Sequence, residues 1–181
     1  MIQIEQPLRK EYVYDCGKTT DKFENDTFGI PPKTICMTIK DKTFIPQYVY
    51  DQFKKYASGY NLEIFDDQEC KDFLRTQYDE TFVTRFENIE EGAHKADLFR
   101  YAYLFKKGGL YMDIKTVLLK DLNIILDEIP TNFIMIKTTR AEKFNIINDN
   151  GNIYNGIIYT YPGNVYIKEL LLDAMYGKPI D

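Results

Sequence analysis

The stretch from Gly92 to Leu122, GAHKADLFRYAYLFKKGGLYMDIKTVLLKDL, constrains the fold more than any other part of the chain. It predicts a helix in which Asp97 and Arg100, three apart, share one face. Leu98, Phe99, Tyr101, Ala102, Leu104 and Phe105 cover most of the remainder. Lys106 and Lys107 suit the C-terminal end of the helix dipole, and Gly108-Gly109 ends the helix. Leu110, Tyr111 and Met112 then form a short apolar strand that delivers Asp113 at its C-terminal end. In an open α/β sheet, ligands bind at that end.

Within this stretch, ADLFRYAYLFKKGGLYMDIKT resembles the signature of glycosyltransferase family 32, the sugar-binding region containing a DXD motif. That signature reads roughly A-D-x-x-R-Y-x-x-L-x-x-x-G-G-x-Y-x-D-x-D. Ala96, Asp97, Arg100, Tyr101, Leu104, Gly108, Gly109, Tyr111 and Asp113 match it, and the second acid of the DXD is replaced by Lys115. The resemblance implies a GT-A-like, mostly parallel α/β sheet flanked by helices. It also implies transfer of a hexose (mannose, glucose or galactose) from a UDP- or GDP-sugar to a hydroxyl of a glycan, lipid or protein, with retention.

The composition agrees with a globular chain of 181 residues, 44% of them hydrophobic, which is enough for one domain with a real core. Fifteen Tyr and twelve Phe with no Trp, alongside many Ile, Lys and Asn, fit an AT-rich genome, viral ones included, and carry no functional reading. A formal charge of −5 with scattered Lys and Arg excludes a nucleic-acid footprint and a polybasic membrane patch. Cys16, Cys36 and Cys70 fit neither a disulfide framework nor a zinc site, and free thiols are expected. The N-terminus lacks the apolar core of a signal peptide and no apolar run approaches a membrane span, so the expected location is cytoplasmic.

In chain order, residues 1–28 are polar and read as an arm or a strand pair, ahead of one domain over 29–181. Lys33 to Ile39 predicts a buried strand, and Pro46 opens a helix with Tyr48, Val49, Phe53 and Tyr56 as its apolar stripe. Tyr60 to Phe65 predicts a second strand. Asp66 and Glu69 form a capping box before a helix that turns Phe73 and Leu74 inward. Strand, helix, strand, helix implies a parallel sheet with right-handed crossovers. Thr81 to Glu91 reads as a further helical piece, Val117 to Leu119 as a strand extension and Leu122 to Ile129 as a helix. Phe133 to Ile136, Phe144 to Ile147 and Ile153 to Tyr159 read as strands, the last two flanking a turn at Asn148 to Asn152. Val165 to Tyr176 predicts a closing helix packed through Leu170, Leu171 and Met175. IYNGIIYTYPGN, which holds Asn155, resembles a further segment of the family, and PPKTICMTIKDKTFIP resembles its opening strand, with Cys36 and Ile39 where the family has His and Trp. The resemblance thus runs from Ile30 to about Met175, and related domains usually continue further, so the domain is expected to be short at its C-terminal end.

By resemblance, Asp113 contacts the donor and a divalent ion, Mn2+ or Mg2+. Asp97, Arg100, Tyr111 and Asn155 bind the donor sugar, and Lys115 stands at the leaving diphosphate, weakening or replacing the ion. A carboxylate and a guanidinium suit a sugar because vicinal hydroxyls both donate and accept. The plain alternatives remain beside this: Asp97–Arg100 as a surface ion pair, Tyr111 as core, Asp113 as a strand-end cap, Asn155 as turn chemistry, and Lys115 pointing to solvent while Asp113 binds the metal with ligands from elsewhere. His94 is read as solvated or capping, and Asp121 and Asp127 as solvated charges. Two other functional classes also remain: a catalytically impaired donor-binding module, and a structural or interaction protein that keeps the fold.

Overall fold

The computed structural model describes residues 29–128, 132–138 and 152–177. Five strands form one sheet: β1 (Thr34–Thr38), β2 (Asn61–Phe65), β3 (Gly109–Met112), β4 (Phe133–Thr138) and β5 (Asn152–Thr160), in the spatial order β2-β1-β3-β5-β4. β2, β1 and β3 are parallel, and β5 and β4 continue the sheet antiparallel. This mixed α/β sheet, parallel in the half formed by β2, β1 and β3, is compatible with the GT-A-like expectation.

Helix α1 (Gln47–Tyr56) links β1 to β2; α2 (Asp67–Gln77), α3 (Glu80–Asn88) and α4 (Gly92–Lys107) lead from β2 back across β1 to β3. Crossovers of this kind are right-handed, so these two connections, which run in opposite directions along the sheet, fall on its opposite faces. Strand alternation supplies each face with its apolar set. Ile35, Met37, Leu110 and Met112 pack with Val49 and Phe53 of α1, and Leu122 of α5 (Leu122–Asp127) closes that layer. Cys36, Tyr111 and Ile158 point the other way, against Leu98, Phe99, Ala102 and Tyr103 of α4 and Ile167, Leu171 and Met175 of α6 (Val165–Tyr176). The strand order therefore reverses between β1 and β3, and ligands of open α/β sheets bind in the crevice at such a reversal.

Local chemistry sets the ends of these elements. Asp66 and Glu69 form the reciprocal capping box of α2, and Pro46 sits one place outside α1, as its N-cap. Asp121, read from sequence as a solvated charge, instead caps α5 by accepting from the Asn123 amide at 2.8 Å. At the end of α4, Gly108 (φ +67°) and Gly109 (φ +96°) adopt backbone angles that side chains resist. A Cβ on Gly109 would stand 2.6 Å from the Thr34 carbonyl oxygen. Glycine here lets the buried helix turn directly into a strand lying against β1.

The strand extension expected over Val117 to Leu119 is absent. After Asp113 the chain makes a tight turn, with the Thr116 amide donating to the Asp113 carbonyl at 2.8 Å. Gln52 of α1, itself buried, donates to the Thr116 carbonyl at 3.0 Å and accepts from the Leu118 amide at 2.8 Å. One side-chain amide thus satisfies the backbone groups that a strand ladder would have used. The N-terminal arm, Phe144 to Ile147 and the turn at 148–151 lie outside the described residues. No helix among the described residues is long and apolar enough to cross a membrane.

Candidate functional site

The residues at the mouth of the parallel strands gather around one guanidinium. α4 runs antiparallel to β3, so its first turns stand above the C-terminal end of that strand, and Gly108-Gly109 keeps the two elements in contact. Arg100 is 4% exposed. Its Nε donates to the Ala96 carbonyl at 3.2 Å and its Nη1 to the Asn155 carbonyl at 2.5 Å. Its Nη2 lies 3.1 Å from Asp97 Oδ1 and 3.5 Å from Asp113 Oδ1. The guanidinium carbon sits 4.5 Å from the centre of the Tyr111 ring, a cation–π stack. Two carboxylates from different elements are thereby held by one buried cation.

β5 supplies the other wall. Its pairing with β4 is irregular: Met135 faces Ile158, but the next residue, Ile136, faces Tyr154. Residues 155–157 of β5 therefore bulge away from β4, and bulges commonly re-aim side chains beside active sites. Here the bulge turns Asn155 toward α4. Its amide nitrogen donates to Asp97 Oδ1 at 2.9 Å and to the Tyr101 hydroxyl at 3.3 Å. Gly156 accepts from the Asp113 amide at 2.8 Å, and Tyr154 donates its hydroxyl to Asp113 Oδ2 at 3.0 Å.

Asp97, Arg100, Tyr111, Asp113 and Asn155 thus come together. Tyr111 is buried, and its hydroxyl shares a hydrogen bond of 3.0 Å with Thr38 Oγ1 at the end of β1, across the point where the strand order reverses. Lys115 stands apart from this network. It lies at the tip of the turn after β3, exposed, with no ion pair or hydrogen bond among the described residues. Tyr48 braces that turn through the Ile114 carbonyl at 3.1 Å. His94 is exposed, 3.7 Å from Glu91, away from the carboxylates' hydrogen bonds. Thr38, Tyr101, Tyr154 and Gly156 complete the site without having been singled out from sequence. Of these Tyr101 stands at a matched position of the family signature, and Gly156 carried a local signal, because a glycine inside a strand pattern marks a bulge or a close approach.

The arrangement has an electrostatic cost. Burial pushes the Asp97 carboxyl above its usual range, with Arg100, His94 and the Asn155 amide pulling it back and Asp113 adding to the rise. A carboxyl whose pKa is higher folded than unfolded favours the native state most when protonated. That contribution is present below the ordinary value of 3.8 and is lost as pH rises toward the folded value. We expect the melting temperature of the natural protein, relative to Asp97→Asn, to fall as pH is raised from about 4 through the weakly acidic range. A difference that rises over the same interval would show Arg100 outweighing burial.

Two carboxylates thus meet on one buried arginine beside the point where the strand order of this α/β sheet reverses. Residues 40–132, just over half of the chain, match the glycosyltransferase sugar-binding region containing a DXD motif, and the chain belongs to that family. It is 31% identical over 111 residues to an initiation-specific alpha-1,6-mannosyltransferase of Schizosaccharomyces pombe, covering 59% of this chain and 28% of that protein. An uncharacterized glycosyltransferase of Acanthamoeba polyphaga mimivirus is 31% identical over 72 residues, 40% of this chain and 29% of its own length. Inositol phosphoceramide mannosyltransferase 3 of S. pombe is 28% identical over 109 residues, 57% and 30% respectively. The chain therefore spans less than a third of each of these relatives.

Proposed function

We propose that this chain is the donor-binding region of a retaining glycosyltransferase that passes a hexose, mannose first among the candidates, from a UDP- or GDP-sugar to a hydroxyl acceptor. The observation that carries the reading is the pair Asp97 and Asp113, held at the strand mouth by Arg100. Two guanidinium N–H groups donate to backbone carbonyls and Nη2 pairs with both carboxylates, so Arg100 orients the carboxylates. Each carboxylate offers about four lone-pair sites and keeps capacity for sugar hydroxyls. In the transfer the anomeric carbon–oxygen bond to the diphosphate breaks and a bond to the acceptor oxygen forms on the same face. The acceptor's proton passes to the departing phosphate oxygen, and the anomeric carbon goes through an oxocarbenium-like state. The chain's part is to fix the sugar and to offset charge growing on the diphosphate. The mannosyltransferase names of two relatives put a mannosyl donor first in the test. Release of free sugar from UDP- and GDP-linked mannose, glucose and galactose should be measured, together with donor affinity. Affinity without release would mark a donor-binding module that has lost turnover, a reading the replacement of the second acid by Lys115 favours. Neither affinity nor release would overturn the proposal.

A divalent ion fits this site only in part. Mg2+ is commonly held by one or two carboxylates together with substrate phosphates. Among the described residues no group of three His, Cys, Asp or Glu is placed to hold a metal, and Asp113 already engages Arg100 and Tyr154. Asp113 would hold such an ion jointly with the donor diphosphate, where it would neutralise the leaving group. Lys115 offers a second source of positive charge. A unit pair near 4 Å at an effective dielectric of about 20 is worth roughly 4 kcal/mol before desolvation, and a divalent ion about twice that. We expect chelation to weaken donor binding of the natural chain by less than about 10-fold, and that of Lys115→Asp by 100-fold or so, since each factor of ten is about 1.4 kcal/mol. Equal dependence on Mn2+ in the two proteins would show that Lys115 takes no part.

A further inference from the structure

The geometry points to Tyr154 as a positioning residue for Asp113, an inference that rests on reading Asp113 as a donor contact. Asp113 is about a third exposed, and a carboxylate at a strand end is free to rotate unless something holds it. Its Oδ1 faces the Arg100 guanidinium at 3.5 Å, a long contact that fixes the side chain weakly. Its Oδ2 receives the Tyr154 hydroxyl at 3.0 Å, well within hydrogen-bond range. Tyr154 is 39% exposed, and its hydroxyl is turned onto the carboxylate.

Gly156 makes this possible. A Cβ there would lie 2.3 Å from Tyr154 Cζ, 2.4 Å from its hydroxyl oxygen and 2.4 Å from Asp113 Oδ2. The bare glycine is therefore the seat on which ring and carboxylate meet. The β5 bulge, which brings Tyr154 opposite Ile136, sets the register that allows it. Tyr154 and Arg100 hold the two oxygens of one carboxylate from opposite sides, which fixes the direction in which its remaining lone pairs face the donor. Small errors in such placement are expensive, about 100-fold in rate for 1 Å.

The test is Tyr154→Phe in the full chain, which keeps the ring over Gly156 and removes only the hydroxyl. Three-bond NMR couplings to the Asp113 carboxyl carbon report its side-chain torsion without any ligand. The expected result is one rotamer in the natural protein and averaging in the variant. Donor affinity should fall about 10-fold as the carboxylate loses its fixed direction, with the melting temperature lowered by no more than a few degrees. A single Asp113 rotamer in the variant, or loosened couplings with unaltered donor affinity, would overturn the positioning role. Loosened couplings in a protein that binds no nucleotide sugar would support the positioning and overturn the donor reading alone.

Discussion

Asp113→Ala is expected to melt within a few degrees of the natural protein while releasing sugar from its donor roughly 100- to 1,000-fold more slowly, the usual effect of removing one preorganised polar group at a reacting centre. The two halves of that expectation come from different bonds. The backbone of residue 113 donates to Gly156 and accepts from Thr116, and alanine keeps both bonds. The carboxylate is about a third exposed, and its partners are a long contact to Arg100 and the hydroxyl of a partly exposed tyrosine. Arg100 retains its shorter pair with Asp97, so no buried charge is left alone. Hydrogen bonds of this exposure contribute about 1 kcal/mol or less. A melting temperature that collapsed together with activity would make Asp113 a structural cap and end its assignment as a donor contact.

How much of this could be read beforehand follows from the range of each interaction. The capping box at Asp66 and Glu69 and the span Val165–Tyr176 are local, and both appear as read. The meeting of Asp97, Arg100 and Asp113 was legible because only two glycines separate helix from strand, leaving few ways to place one against the other. Asn155 lies 55 residues from its partner Arg100 and outside the matched family region, yet its segment pattern identified it. Tyr154 and Thr38 were not legible in the same way. Their contacts depend on the register of β4 against β5 and on the order of β1 beside β3, which no local pattern specifies. The expected strand at Val117–Leu119 failed for a related reason. Its apolar residues suit a strand, but a glutamine on α1, more than sixty positions earlier, offers the backbone a better set of partners.

Arg100→Ala should produce the opposite pattern from Asp113→Ala, with stability and activity lost together. The side chain is 4% exposed and touches the Ala96 and Asn155 carbonyls, two carboxylates and the face of Tyr111. Truncation leaves Asp97 and Asp113 as neighbouring anions without their common cation, orphans the Asn155 carbonyl and opens space beside Tyr111. Removing one partner of a buried ion pair typically costs 3–5 kcal/mol. In a chain of this size, that lowers the melting temperature by roughly 10–15 °C. Burial already penalises the Asp97 anion, so the loss of Arg100 acts on a group with little electrostatic reserve. Arg100→Lys restores the charge without the fork: an ammonium on a flexible stem cannot lie flat on Tyr111 while serving two carboxylates and two carbonyls. The lysine variant is expected to recover about half of the lost stability and little of the donor affinity, because charge alone does not set the directions of Asp97 and Asp113. Thermal melts beside donor titrations of the three proteins decide the matter. An alanine variant with the natural melting temperature would mean that the carboxylates are held by something other than this guanidinium, and the account of the site built on Arg100 would fall.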